Sequence, residues 1–308
     1  MKTSPFTLVL GGGGARGIAH LGVLRVLEQK KIYPSLIVGT SIGAIIGAMF
    51  AQTPDTTQAE KRIEKFFRSD FFKKIGLDFF LLEDSPDRHT VFEQWFSKAK
   101  RNYVLSRSIM RQSAFPEDIL REALSYLIDE MKITDCRIPF RAVATDIRNG
   151  DVVVLGSGSL TTAVAASSSI PAITQPVKYN KRLLIDGGAA CITPVIAAKR
   201  ISPRPVVAVD VWKTVTHQKI PLRGLGLLLR AGEITQLNLN RLLVDQADVI
   251  IQPAVREYSW VKFSLYQELI EIGIAAAESM LRAIECIDEN YQRGENTGYQ
   301  NIFKIYEE

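Results

Sequence analysis

Three groupings in this chain have the makings of chemistry: a serine bracketed by glycines, a carboxylate at the end of an apolar run, and four consecutive glycines. The serine lies in Gly39-Thr40-Ser41-Ile42-Gly43, a Gly-x-Ser-x-Gly pentapeptide between two apolar stretches. Ser35-Leu36-Ile37-Val38 before it reads as a short buried strand, and Ala44 to Ala51 after it reads as a buried helix. A serine at such a strand-to-helix turn is held on a strained backbone with its hydroxyl exposed. Gly39 and Gly43 are small enough to let the turn close. The helix N-terminus offers unpaired N–H groups and positive potential, which suit a developing oxyanion. This is the pattern of a nucleophile, and a nucleophile needs a base.

A conventional hydrolase of this kind runs Ser, then Asp or Glu, then His. Only His20, His89 and His217 are present. His20 precedes the serine in the first helix and reads as a packing or hydrogen-bonding residue. His89 falls in a helical stretch, and His217 in the polar run Thr214-Val215-Thr216-His217-Gln218-Lys219. A better base is Asp186, in Arg182-Leu183-Leu184-Ile185-Asp186-Gly187-Gly188, where an apolar strand delivers the carboxylate to its C-terminal end. Taken alone, Asp186-Gly187 is more simply a turn. The serine and the glycine loop in the same chain reverse that preference.

The glycine loop, Gly11-Gly12-Gly13-Gly14-Ala15-Arg16-Gly17, follows the first strand and opens a helix. Gly12, Gly14 and Gly17 satisfy Gly-x-Gly-x-x-Gly, but Gly17-Ile18-Ala19 stands where a Walker loop needs Gly-Lys-Ser/Thr. The second strand ends at Val38-Gly39 without the acidic residue that would hold a dinucleotide ribose. The remaining chemistry is an oxyanion hole, with successive backbone N–H groups turned toward one point. Arg16 adds a permanent charge nearby; a surface arginine neutralising a carboxylate is an equal reading of it.

The elements that must position these groups alternate in the first fifty residues: strand at Phe6–Leu10, helix at Ile18–Gln29, strand, helix. Such alternation implies right-handed crossovers and a mainly parallel sheet flanked by helices. Residues 54–135 read as a helical insertion mixing aromatics with bases, as in Phe66-Phe67-Arg68 and Phe71-Phe72-Lys73-Lys74. An ordinary core or lid helix accounts for that mixture better than an interfacial segment does. Strand signals return at Phe140–Ile147, Asp151–Leu155, Arg182–Ile185, Val206–Val211 and Asp248–Ile251. Long helices are expected over Leu222–Asp245 and Ser264–Ile287, with a polar tail from Asp288. No linker or repeat divides the chain, so one α/β domain is expected over 1–290 with a tail over 291–308.

Composition narrows the function classes. The 38 basic and 33 acidic residues leave +5, too small an excess in 308 residues for general nucleic-acid binding. Cys136, Cys191 and Cys286 have neither a disulfide framework nor a zinc spacing, which suits a reducing compartment. No metal or cofactor is expected, since no twelve-residue calcium loop appears and a serine hydrolase needs none. The apolar stretch from Ile37 to Ala51 is about 15 residues, against the roughly 20 of a membrane span. The start reaches its glycines too soon for a signal peptide. A cytoplasmic location is expected.

Taken in order, Gly12-Gly13-Gly14-Ala15-Arg16-Gly17, Gly39-Thr40-Ser41-Ile42-Gly43, Ala163 to Pro171 with its Ala166-Ser167-Ser168, and Asp186-Gly187-Gly188 resemble the patatin-like phospholipase family. The similarity extends through Ala247 to Pro253 and the Glu268–Ala277 helix, so it spans about Phe6 to Leu281. The resemblance implies a three-layer α/β/α fold and a serine–aspartate dyad in place of a triad. By position, Ser41 is the nucleophile, Asp186 its base, and Gly12, Gly13 and Gly14 the oxyanion hole beside Arg16. Gly17, Gly39, Gly43, Gly187 and Gly188 support them. The implied substrate is a phospholipid or lysophospholipid; transient contact with an anionic membrane surface is the reading that the aromatic–basic segments leave open beside the core or lid one. A carboxylesterase or acyltransferase on other esters, or a non-catalytic module keeping the fold, are the rival readings.

Overall fold

The computed structural model describes residues 4–75, 113, 115, 118–212, 224–259, 263–287 and 304–308. The centre of the expected insertion, with His89, lies outside the described residues, as do His217 and most of the expected tail.

Strand β1 (Ser4–Leu10) leads through a 3-10 turn (Gly14–Ile18) into helix α1 (Ala19–Gln29), and β2 (Pro34–Thr40) leads into α2 (Ile42–Gln52). Helices α3 (Thr56–Arg68), α4 (Asp70–Ile75) and α5 (Ile119–Leu127) belong to the insertion. Next come β3 (Phe140–Asp146), β4 (Val152–Leu155), α6 (Leu160–Ser167), β5 (Val177–Tyr179) and β6 (Arg182–Asp186). Helix α7 (Val195–Ile201), β7 (Val206–Val209), α8 (Gly224–Val244), β8 (Val249–Ile251), α9 (Tyr266–Glu285) and β9 (Ile305–Glu307) complete the order.

Strands β3, β2, β1, β7 and β8 run parallel side by side, which is the sheet the alternating pattern implies. Alternation within β1 explains the layers. Leu8 and Leu10 face the core shared with α1, α2 and α9, whereas Val9 faces the core shared with α7. Both faces are buried, so these strands are apolar almost throughout. The result is a sheet between two helical layers. Helices α1 and α9 cross so closely that a Cβ on Gly22 would overlap the Ile270 carbonyl, and one on Gly273 the Ala19 carbonyl.

Three antiparallel pairings, β3 with β4, β3 with β6, and β5 with β6, have no counterpart in the alternating pattern. They are short, and helices α6 before β5 and α7 after β6 lack a strong polar face; Ala163 to Ala166 and Val195 to Ala198 are all buried. Periodicity cannot announce an element that is buried all round. The chain end also joins the sheet: β9 pairs in parallel with β4, and Glu307 and Glu308 reach Arg141 and Arg182 at 3.2 and 3.0 Å. The aromatics of α3 and α4 turn inward, where Phe66, Phe67 and Phe72 pack on one another and on Tyr126, Phe263 and Tyr266. That is the core reading of the aromatic–basic mixture.

Candidate active site

The register of β3 places the site. Thr40, the last residue of β2, lies opposite Val143, and Asp186, the last residue of β6, lies opposite Ala144. Strand β4 pairs with β3 over Ala142 to Thr145, so it occupies the other edge. Strands β2 and β6 therefore meet end to end along one edge of β3. Since β2 is parallel to β3 and β6 antiparallel, it is their two C-terminal ends that meet. Ser41 and Asp186, 145 positions apart in the sequence, become neighbours.

Ser41 adopts φ 55°, ψ −125°, a conformation that costs a residue with a Cβ on the order of 1–3 kcal/mol. The surroundings hold it there. Its N–H donates to the Ser167 hydroxyl at 3.1 Å, and Ser167 in turn donates to the Val143 carbonyl at 2.6 Å. The Ser168 hydroxyl donates to the Ser41 carbonyl at 3.3 Å. Close approach excludes side chains on either side: a Cβ on Gly39 would run into the Gly43 carbonyl and Ala44, and one on Gly43 into the Leu10 carbonyl. Gly187 packs against the Val143 carbonyl in the same way.

The Asp186 carboxylate lines the same cavity as Ser41 and accepts the Gly188 N–H at 2.7 Å. Asp186 is 8% exposed. Burial outweighs hydrogen bonding and pushes its pKa from the ordinary 3.8 up to about 6. The Asp186 N–H is held by the Ser169 carbonyl at 2.8 Å, so residues 167–169 position both ends of the pair.

The glycine loop lies over the same cavity, but its peptides are not equivalent. His20 Nε2 meets the Gly11 carbonyl at 2.8 Å, and the Gly12 N–H donates to the Ile192 carbonyl at 2.9 Å. The Gly11–Gly12 peptide is thus engaged at both ends, and Gly12 is removed from the expected oxyanion donors. At the next position but one, Arg16 Nε donates to the Gly13 carbonyl at 3.1 Å. In a trans peptide the N–H points opposite the carbonyl, so Arg16 turns the Gly14 N–H the other way. Among the described residues no protein acceptor takes the N–H of Gly13 or Gly14. Arg16 itself is 2% exposed and stacks on Trp212 with 5.4 Å to the ring centroid, so the surface reading of this residue is excluded. Gly17 lets the loop lie on Ile42, whose side chain a Cβ would overlap.

His20 is a loop anchor rather than a base. It is wholly buried, its Nδ1 has no partner, and burial lowers its pKa from 6.5 to about 4. Neutral imidazole donates to Gly11 through Nε2. Another buried carboxylate, Asp210 after β7, accepts from Thr193 Oγ1, Asn240 and the Trp212 N–H at 3.1, 3.1 and 3.3 Å. It braces the two segments that flank the glycine loop. Ser167 and Ser168 fall in a block that the resemblance singled out without a role, because they act through the backbone of Ser41; Asp210 acts through neighbours and carries no motif of its own.

Gly12, Gly13, Gly14, Arg16, Ser41 and Asp186 line one cavity of about 320 Å³, together with Trp212, Glu233 and Gln236. Among the described residues no three of His, Cys, Asp and Glu gather as a metal site, and no helix is long and apolar enough to cross a membrane.

A strained serine beside a buried carboxylate under a glycine loop is what these elements assemble, and comparison with known proteins supplies the family. The patatin-like phospholipase profile matches residues 8–199, and the chain belongs to that family. Relatives include the lysophospholipase NTE1 of Eremothecium gossypii, 26% identical over 90% of this chain and 18% of its own length. Patatin-like phospholipase domain-containing protein 7 of Rattus norvegicus is 27% identical over 86% of this chain and 20% of its own. The chain thus spans about a fifth of the curated relatives it matches. Two solved structures align: VipD from Legionella pneumophila, with 16% identity, 90% of this chain, 67% of that one and a TM-score of 0.46, and ExoU with SpcU from Pseudomonas aeruginosa, with 16%, 92%, 52% and 0.42.

Proposed function

We propose that this protein is a serine acyl hydrolase that cleaves fatty-acyl esters of phospholipids or lysophospholipids. One observation supports the reading: a backbone-strained Ser41 shares a cavity with Asp186, a carboxylate whose basicity is raised by burial. Membership of the patatin-like phospholipase family, and relatives named lysophospholipases, support the substrate class.

Asp186 accepts the Ser41 proton as the hydroxyl attacks the ester carbonyl. The oxyanion that forms is met by the N–H groups of Gly13 and Gly14, oriented before the reaction and shielded from water. The proton passes to the leaving alcohol, and water then hydrolyses the acyl-serine with Asp186 again as base. A carboxylate near pKa 6 remains far below an amine leaving group in basicity, so an ester suits this dyad better than an amide. No metal or cofactor enters these steps. The same reading puts the protein in the cytoplasm, touching membrane surfaces transiently; absence of binding to anionic vesicles even at low salt would remove that part.

A fluorophosphonate probe tests the dyad. Labelling of native protein that disappears in Ser41→Ala supports the enzyme, whereas unlabelled native protein leaves a binding module that keeps the fold. Fatty-acid release from diacyl lipid, lysolipid and short soluble esters then separates a phospholipase from a general carboxylesterase.

A further inference from the structure

The segment from Gly188 to Thr193 touches each part of the site. The Gly188 N–H donates to the Asp186 carboxylate at 2.7 Å. The Cys191 carbonyl accepts from the hydroxyl of Thr40, the residue before Ser41, at 3.1 Å. The Ile192 carbonyl accepts the Gly12 N–H at 2.9 Å, and Thr193 packs so closely on Gly11 that a Cβ there would overlap its Oγ1. One stretch of backbone therefore spaces the carboxylate, the serine turn and the glycine loop. Gly188, at its start, has no Cβ to limit its rotation.

Helix α8 holds that stretch at both ends. Gln236 Nε2 donates to the Gly188 carbonyl at 3.3 Å, and Asn240 Oδ1 accepts the Thr193 N–H at 3.1 Å. The two amides are one helical turn apart and share a face of α8. Asn240 is 3% exposed, and its Nδ2 donates to Asp210 at 3.1 Å, so its oxygen is turned toward Thr193. Leu237, Leu243 and Val244 are buried and anchor the same helix. Both amides lie beyond residues 8–199, the stretch that the family profile matches.

We infer that Gln236 and Asn240 are positioning residues, which fix the Gly188–Thr193 segment and through it the mutual placement of Asp186, Ser41 and the glycine loop. This rests on the reading of Ser41 and Asp186 as nucleophile and base. The two ends act on different groups. Gln236 sets the Gly188 backbone, whose N–H favours the charged form of Asp186. Asn240 sets Thr193, next to the Ile192 carbonyl that engages Gly12. One amide bears on the base and the other on the oxyanion loop.

The experiment measures hydrolysis of a short p-nitrophenyl ester against pH, with rates counted per site labelled by fluorophosphonate so that a lower folded fraction cancels. Gln236→Met keeps the side-chain length and removes the donor. With the Gly188 N–H less well aligned, the acid limb of kcat/KM should rise by about half a pH unit. Arg16 and Glu233, the charged groups that line the cavity with Asp186, are unchanged in this variant, so the shift reads backbone placement. Asn240 does not line that cavity. Asn240→Ala should lower kcat roughly tenfold, with KM and the acid limb unchanged. A merely structural role would lower Tm and leave the limb of Gln236→Met and the kcat of Asn240→Ala native, which would overturn the assignment. Should Asn240→Ala not fold, Gln236→Met decides by itself: a raised limb supports the assignment and a native limb overturns it. Native protein that takes no label would instead fail the hydrolase reading, and the assignment with it.

Discussion

Thr40 and Asp186 sit opposite consecutive residues of β3, Val143 and Ala144, and this places Ser41 beside Asp186. Two strands of opposite direction share one edge of a third, so both deliver their C-terminal ends to one point. The meeting of Ser41 and Asp186 is a product of strand register, and the raised pKa of Asp186 follows from burial at that junction.

The pH dependence should separate Asp186 from His20. Turnover needs Asp186 deprotonated, so kcat/KM should fall below a pKa of about 6. An ordinary carboxylate would place the limb near 3.8. For stability the signs oppose. Asp186, raised on folding, contributes stability that is present below 3.8 and lost as pH rises through about 6. His20, lowered on folding, contributes stability that is present above 6.5 and lost as pH falls through about 4. Each amounts to something on the order of 3 kcal/mol, so the two nearly cancel across the shared window. In His20→Gln the Asp186 contribution stands alone. Urea melts should show native protein gaining stability over His20→Gln as pH rises from 4 to 6.5, while the acid limb of activity stays near 6 in both. A limb that moves with His20 would reassign the base.

Ser167→Ala removes the acceptor of the Ser41 N–H and the donor to Val143. Loss of about 1–3 kcal/mol in stability is expected from two buried groups left unpaired. The nucleophile should also lose its fixed angle, lowering kcat roughly tenfold with little change in KM. Ser168→Ala, which loses one bond of 3.3 Å, should do less. Steady-state kinetics beside thermal melts check both.

Arg16 should matter to turnover more than to binding. Arg16→Met frees the Gly13 carbonyl and with it the orientation of the Gly14 N–H. Loss of an oxyanion donor outright costs about 100- to 1000-fold, so loss of its alignment should cost roughly 10- to 100-fold in kcat. Arg16→Lys should not restore it, because an ammonium cannot both stack on Trp212 and donate in the guanidinium geometry. Equal effects on a neutral short ester and a charged lipid would mark the role as orientation rather than head-group binding.

Gly22→Ala tests the packing of α1 on α9. In an exposed helix this change stabilises by about 0.5–1 kcal/mol. Here the new methyl would meet the Ile270 carbonyl and the Ile274 backbone N, neither of which can turn aside. The sign should reverse to a loss of about 1–3 kcal/mol. Thermal melts would show it, with the acid limb of activity unmoved.

The serine turn, the loop and the central strands were legible because each is written locally. An apolar run, a turn that needs glycines and a helix start are set by neighbours in the chain, so Gly39 to Gly43 reads directly as an elbow. Asp186 was legible only in company, since Asp-Gly by itself is equally a turn. The antiparallel pairings and β9 were not legible, because β5 and β9 have three residues each, too few to show an alternation.

By itself, the sequence determined that a serine is held on a strained turn between a buried strand and a buried helix, under a glycine-rich loop. Only the tertiary structure decided which groups complete the site. It engaged the Gly12 N–H with Ile192 and left Gly13 and Gly14, buried Arg16 against Trp212, and set Ser167 and Ser168 on the backbone of Ser41. The reason is physical. Local conformation follows from steric and polar preferences of adjacent residues, whereas a hydrogen-bond partner 126 positions away is fixed only when the sheet closes and water leaves.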